Sequence, residues 1–138
     1  MKNIKLALTL FGLGYLIATI VGFSTYYIHI TVMWIATMTL MPVIFGYLFY
    51  FYLRRIKCTR SESLKQTHYL ILFWIILSFL LDAVVYIVVV PIIFGNPSNW
   101  TFFIDQSPWI WLNYLAIIIL GHISRFFYLK NLKNMQTN

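Results

Sequence analysis

The sequence predicts an all-α integral membrane protein, a four-transmembrane-helix bundle built from two helical hairpins with both termini in the cytoplasm. Three observations predict it. The chain holds four apolar stretches of about bilayer length. Of its 138 residues 62% are hydrophobic and only 9% charged, too little polar surface to coat a soluble globule. All ten Lys and Arg fall before residue 6, between 54 and 65, or from 125 onward. With four spans those three places share one side, which the positive-inside rule assigns to the cytoplasm. The expected setting is a bacterial plasma membrane. The net charge of +7 would suit nucleic acid only on a water-exposed face with groove-reading elements beside it, whereas here the bases flank apolar spans. The expected partner is therefore the lipid bilayer and not nucleic acid.

Residues 1–138 read as one domain. The first span covers about 6–27, behind Lys2 and Lys5. Small residues at Gly22 and Ser24 would permit signal cleavage after Ser24, but an apolar run of ~22 residues exceeds the roughly 7 to 15 of a signal core. Gly14, Ala18 and Gly22, spaced by four, line one face with small residues and invite close approach of another helix. Residues 28–31 leave room only for a tight turn before the second span, about 32–53. Trp34 marks its start and Tyr47, Tyr50 and Tyr52 its end, as amphipathic rings settle at headgroups. Pro42, mid-span, leaves the Met38 carbonyl without its helical donor and invites a kink. Arg54, Arg55, Lys57, Arg60 and Lys65 make 54–68 the cytoplasmic loop, and Thr59 with Glu62 fits a capping box that starts the next helix below the membrane.

The third span, about 69–90, organises the rest. Sixteen of its 22 residues are Ile, Leu, Val or Phe, each contributing roughly −0.3 to −0.6 kcal/mol to insertion, against about +3 for the one central acid, Asp82. Insertion wins. Pro91 is expected to end the span, and 95–108 reads as an outer loop whose Trp100, Phe102 and Phe103 lie flat at the interface. Ser107 as cap and Pro108 at the first helical position introduce the last span, about 109–129.

Asp82 shares a helical face with Ser78 and Tyr86, a polar stripe that must turn toward protein or water. Two readings stand: a proton or cation site, and a structural carboxylic acid donating to a free carbonyl such as that of Met38. His122 reads as an interhelical hydrogen-bonding group with no second histidine at its depth, and Arg125 as a side chain reaching the cytoplasmic headgroups. The intramembrane polar set is thus Asp82, Ser78, Tyr86 and His122, and the packing set is Gly14, Ala18, Gly22 and Pro42. A single cysteine, Cys58, excludes a disulfide framework and a thiolate cluster. No phosphate-cradling loop, nucleophile elbow or His-Glu-x-x-His motif occurs, so no cofactor, metal or enzymatic role is expected. Two functions remain: a non-catalytic accessory, immunity or regulatory subunit docked on a larger membrane protein, which is preferred, and a small homo-oligomeric channel or cation-linked transporter centred on Asp82. A chain this short is expected to need other copies to enclose a path.

Overall fold

Backbone amides inside a bilayer find no water, so an apolar run closes its hydrogen bonds within itself as helix. In the computed structural model, which describes residues 1–136, the four apolar runs accordingly lie in four long helical stretches, and every regular element among the described residues is helical. Helix α1 spans Ile4–Tyr26, with the Asn3 side chain accepting from the Leu6 amide at 2.9 Å. Helix α2, Ile30–Arg55, starts at His29, whose Nδ1 accepts from the Thr31 amide at 3.1 Å. Helix α3, Arg60–Asp82, opens with the Thr59–Glu62 capping box and passes into a π-helical segment, Ala83–Val89, then α4, Val90–Ile93. A short α5, Phe102–Asp105, precedes α6, Trp109–Gln136.

The helices outrun the apolar stretches. Helix α3 starts at Arg60, in the polar segment, as its capping box requires, and α6 continues past residue 129 to Gln136. Pro91 does not end the third helical path, which reaches Ile93. The reason lies in the backbone pairing: the carbonyl that Pro91 cannot serve is that of Ile87, and the Asn99 amide takes it at 2.9 Å. The 95–108 connection is thereby tied to the helix end. At the other end of α6, Trp109 rather than Pro108 is the first helical residue.

Helix α1 packs mainly on α2, α2 on α6 and α6 on α3, with α3 making smaller contacts back to α1 and α2. The hub is Trp74, fully buried, with Phe49, Phe45 and Phe11 at ring-centroid distances of 4.2, 5.6 and 6.0 Å. Its indole N–H donates to the Ala7 carbonyl at 3.2 Å. Where the surroundings are lipid, such contacts stabilise through packing rather than water exclusion. Close backbone approach sets their geometry at two glycines. A Cβ on Gly14 would sit 2.9 Å from Leu48 Cδ1, and one on Gly121 would sit 2.6 Å from both Ile71 Cγ1 and Cδ1.

Polar bonds gather at the end that holds residue 1 and the α2–α3 connection. The Lys2 amide donates to Gln66 Oε1 at 2.9 Å, and Lys2 Nζ meets Glu62 Oε2 at 2.7 Å. The Lys2 hydrogen bond, helped by the Thr59 amide and hydroxyl, holds the Glu62 carboxyl down at about 2. Arg125 Nε donates to Ser63 Oγ at 3.1 Å, and the Tyr128 hydroxyl donates to the Cys58 carbonyl. Burial pushes the Cys58 thiol up, so this cysteine is no activated nucleophile. Tyr52, expected as an interfacial ring, is instead fully buried, and its hydroxyl receives the Asn3 amide at 3.4 Å.

Candidate functional site

Asp82 occupies the last α-helical position before the π segment. Its two carboxyl oxygens are bound by phenols from two other helices. The Tyr15 hydroxyl of α1 donates to Oδ1 at 2.9 Å and the Tyr114 hydroxyl of α6 donates to Oδ2 at 2.8 Å. Neither oxygen goes to the Met38 carbonyl. Two donors satisfy the carboxyl oxygens, and no basic side chain lines the cavity beside them.

These groups line a cavity of about 680 Å³ between the helices. It extends from Phe45 and Leu120, beside the Trp74 hub, to the end of the bundle formed by the α1–α2 turn and the 94–108 connection. There Tyr27 and Phe94 on its rim are 75% and 61% exposed, so the cavity reaches the surface. Toward the Trp74 hub it is bounded by Phe45 and Met41 of the packed core. The volume lies within the roughly 300 to 1,000 Å³ of small-molecule sites, and the lining has the usual form: apolar and aromatic walls with a few convergent polar groups.

Ser78 and Tyr86 join Asp82 on this wall. Tyr86 lies beside Thr19 of α1 and stacks on Phe102 of α5 at 5.0 Å and 6°. Phe103 likewise stacks on Phe79 at 4.9 Å. The connection therefore folds back onto the third helix through α5, rather than lying flat throughout, while Trp100 stays 77% exposed.

His122 stands apart from this group. Its ring meets His68 edge to face at 5.3 Å, so a second histidine does lie at its level. The basic residues put 54–68 in the cytoplasmic loop, whereas His68 lies within α3 and so reaches the level of His122. Arg125 sits one turn further along α6, on Ser63 and away from Asp82. Of the small-residue face, Gly14 packs tightly on α2, whereas Ala18 and Gly22 line the cavity, and Gly22 has no atom within 4 Å of where a Cβ would be. Pro42 lines it too, together with Met38.

Tyr15 and Tyr114, the direct partners of Asp82, were not anticipated. A signal for them exists, since a tyrosine well inside an apolar span needs a polar partner for its hydroxyl. Among the described residues no group of three or more His, Cys, Asp or Glu is arranged to hold a metal ion. No protein-family model matches the chain, nor does any curated protein or solved structure. The four helices are long and apolar enough for a multi-pass membrane protein.

Proposed function

We propose that this chain is a four-span plasma-membrane protein, with both termini in the cytoplasm and two helical hairpins (α1–α2 and α3–α6), that binds a small molecule in a cavity open to the outer side. It acts by binding rather than catalysis. The observation that carries this reading is that one chain forms a cavity of about 680 Å³ around a single carboxyl group presented by two phenols. Its lining comes from one chain, which weakens the case for a path shared between subunits. The cytoplasmic orientation of the termini rests on the Lys and Arg distribution. On that orientation the cavity mouth, beside the 94–108 connection, faces outward. Below it the Trp74 cluster closes the bundle, so the cavity is a receptor site reached from one side.

Single cysteines in a Cys58→Ala background test the reading in intact cells with a membrane-impermeant thiol reagent. Asn99→Cys in the outer connection should label, as should Asn113→Cys and Thr37→Cys on the cavity wall. Lys133→Cys should label only after permeabilisation, and Val43→Cys, which is 71% exposed on α2 toward lipid, should not label. Labelling of Lys133→Cys from outside would overturn the topology. Protection of both wall cysteines would overturn the open cavity.

A second reading keeps an observation of its own. Trp100 and Ile104 are 77% and 75% exposed on and beside α5, an apolar knob suited to docking on another membrane protein. A stoichiometric foreign subunit after purification in mild detergent would favour this accessory role.

A further inference from the structure

The chemistry of the cavity wall narrows the ligand class, an inference that rests on the binding reading above. Among the residues that line the cavity, Asp82 is the one acid, and no Lys, Arg or His accompanies it. Both of its oxygens accept hydrogen bonds and neither is used as a donor, so the group can carry a negative charge there with hydrogen-bond donors but no counter-ion. Aromatic faces surround it: Tyr15 and Tyr114 in contact, Tyr86 a turn along the third helix, and Phe23, Trp34 and Phe102 toward the mouth. Such faces attract cations through their quadrupoles and offer apolar area to a ligand body, and both effects strengthen where water is thinned. An anion would meet the carboxylate unscreened. A small inorganic cation would find too few oxygens, because hard cations take six or more or keep their water.

We propose that the cavity binds a monovalent organic cation with an aromatic or bulky apolar body, its charge against Asp82 and its body among the rings toward the mouth. A permanently charged cation such as a quaternary ammonium or phosphonium fits as well as a protonated amine, since recognition is by charge and not by a donated hydrogen bond.

Three probes of nearly one shape and different charge test this on the purified full chain in mild detergent, by equilibrium dialysis against protein-free micelles. Tetraphenylphosphonium is the cation, triphenylphosphine oxide the neutral molecule and tetraphenylborate the anion. The cation should bind at least about tenfold more tightly than the neutral probe, and the anion should not bind above the micelle background. Asp82→Asn should erase that preference, and Ala18→Trp, which fills the cavity from α1, should abolish binding of every probe. Equal binding of cation and neutral probe, lost in Ala18→Trp, would overturn the cation inference and leave the cavity intact as a site. Binding of no probe, together with protected wall cysteines, would overturn the site itself. The comparison of the three probes on the unmutated chain decides the question should Asp82→Asn fail to fold.

Discussion

Gly121→Ala is the smallest change that should visibly weaken the bundle. Helix α6 approaches α3 closely at this residue: the new Cβ would lie 2.6 Å from both Cγ1 and Cδ1 of Ile71, and 3.4 Å from Phe49 Cε1. Contacts that short force a shift. Rotating the outer torsion of Ile71 moves Cδ1 but leaves Cγ1 in place, and χ1 of a β-branched residue in a helix is nearly fixed. Overpacking of this kind costs about 1 to 3 kcal/mol, and the upper half applies where the neighbour cannot yield. Alanine in place of glycine returns about 1 kcal/mol of helix preference. The net is a loss of about 1 to 2 kcal/mol. Gly12→Ala gives the matched control, since nothing lies within 4 Å of its new Cβ, and should be neutral or gain up to about 1 kcal/mol. Equilibrium unfolding in mixed micelles measures both. Combining Gly121→Ala with Ile71→Ala should lose less than the sum of the single changes, because the second vacates the space the first needs. Gly121→Ala as stable as Gly12→Ala, or additive losses in the double variant, would refute the close approach.

Three further outcomes follow from the same contacts. The Glu62 carboxyl is held at about 2 when folded against roughly 4.3 in an unfolded chain, so its contribution is full above the latter and disappears as pH falls to the former. The gap in melting temperature between the parent and Glu62→Gln should therefore close between pH 5 and 2, and should narrow in high salt because the pair with Lys2 is exposed. Asp82→Ala strands the hydroxyls of Tyr15 and Tyr114 and should cost about 1 to 3 kcal/mol, whereas Asp82→Asn keeps a group that both can meet and should cost less; equal losses in unfolding titrations would count against the paired phenols. Trp74→Ala should be the most damaging single truncation, about 3 to 5 kcal/mol, since the ring is fully buried among Phe11, Phe45 and Phe49. A melting curve within a degree or two of the parent would remove Trp74 from the hub.

Much of the fold was legible because bilayer thickness imposes a length and charge imposes an order. The four runs and the Thr59–Glu62 cap follow from local chemistry, whereas most of the basic 54–68 stretch expected as loop belongs to the ends of α2 and α3. The site was half legible. Asp82, Ser78 and Tyr86 announce themselves as a polar stripe on one helix, but their partners come from helices 32 and 67 residues away in sequence. Nothing local says that Tyr15 and Tyr114 meet there. Gly121 escaped notice because a lone glycine shows no spacing, while Gly14, Ala18 and Gly22 drew attention by theirs, although only Gly14 is tightly packed. Tyr52 was misplaced because a ring near a span end satisfies the interfacial rule whether it points to lipid or into the bundle. The extension past Pro91 depended on an amide eight residues further on, that of Asn99.

The π segment between Ala83 and Val89 changes how the third helix should be read. In a regular α-helix a stripe spaced by four drifts by about 40° per step, so Ser78, Asp82 and Tyr86 would wind progressively away from a common wall. A π turn holds more residues than an α turn, and beginning directly after Asp82 it rotates the chain less per residue. The drift accumulated before Asp82 is taken back after it. The segment thus acts as a phase correction on the stripe, consistent with Tyr86 lining the same cavity as Ser78 with its ring stacked on Phe102. Face assignments made with one period across the whole span fall out of step here. A switch of one backbone bond between the i+4 and i+5 pairings would turn Tyr86 relative to Asp82 while leaving the helix unbroken, as a vernier turns one scale against another.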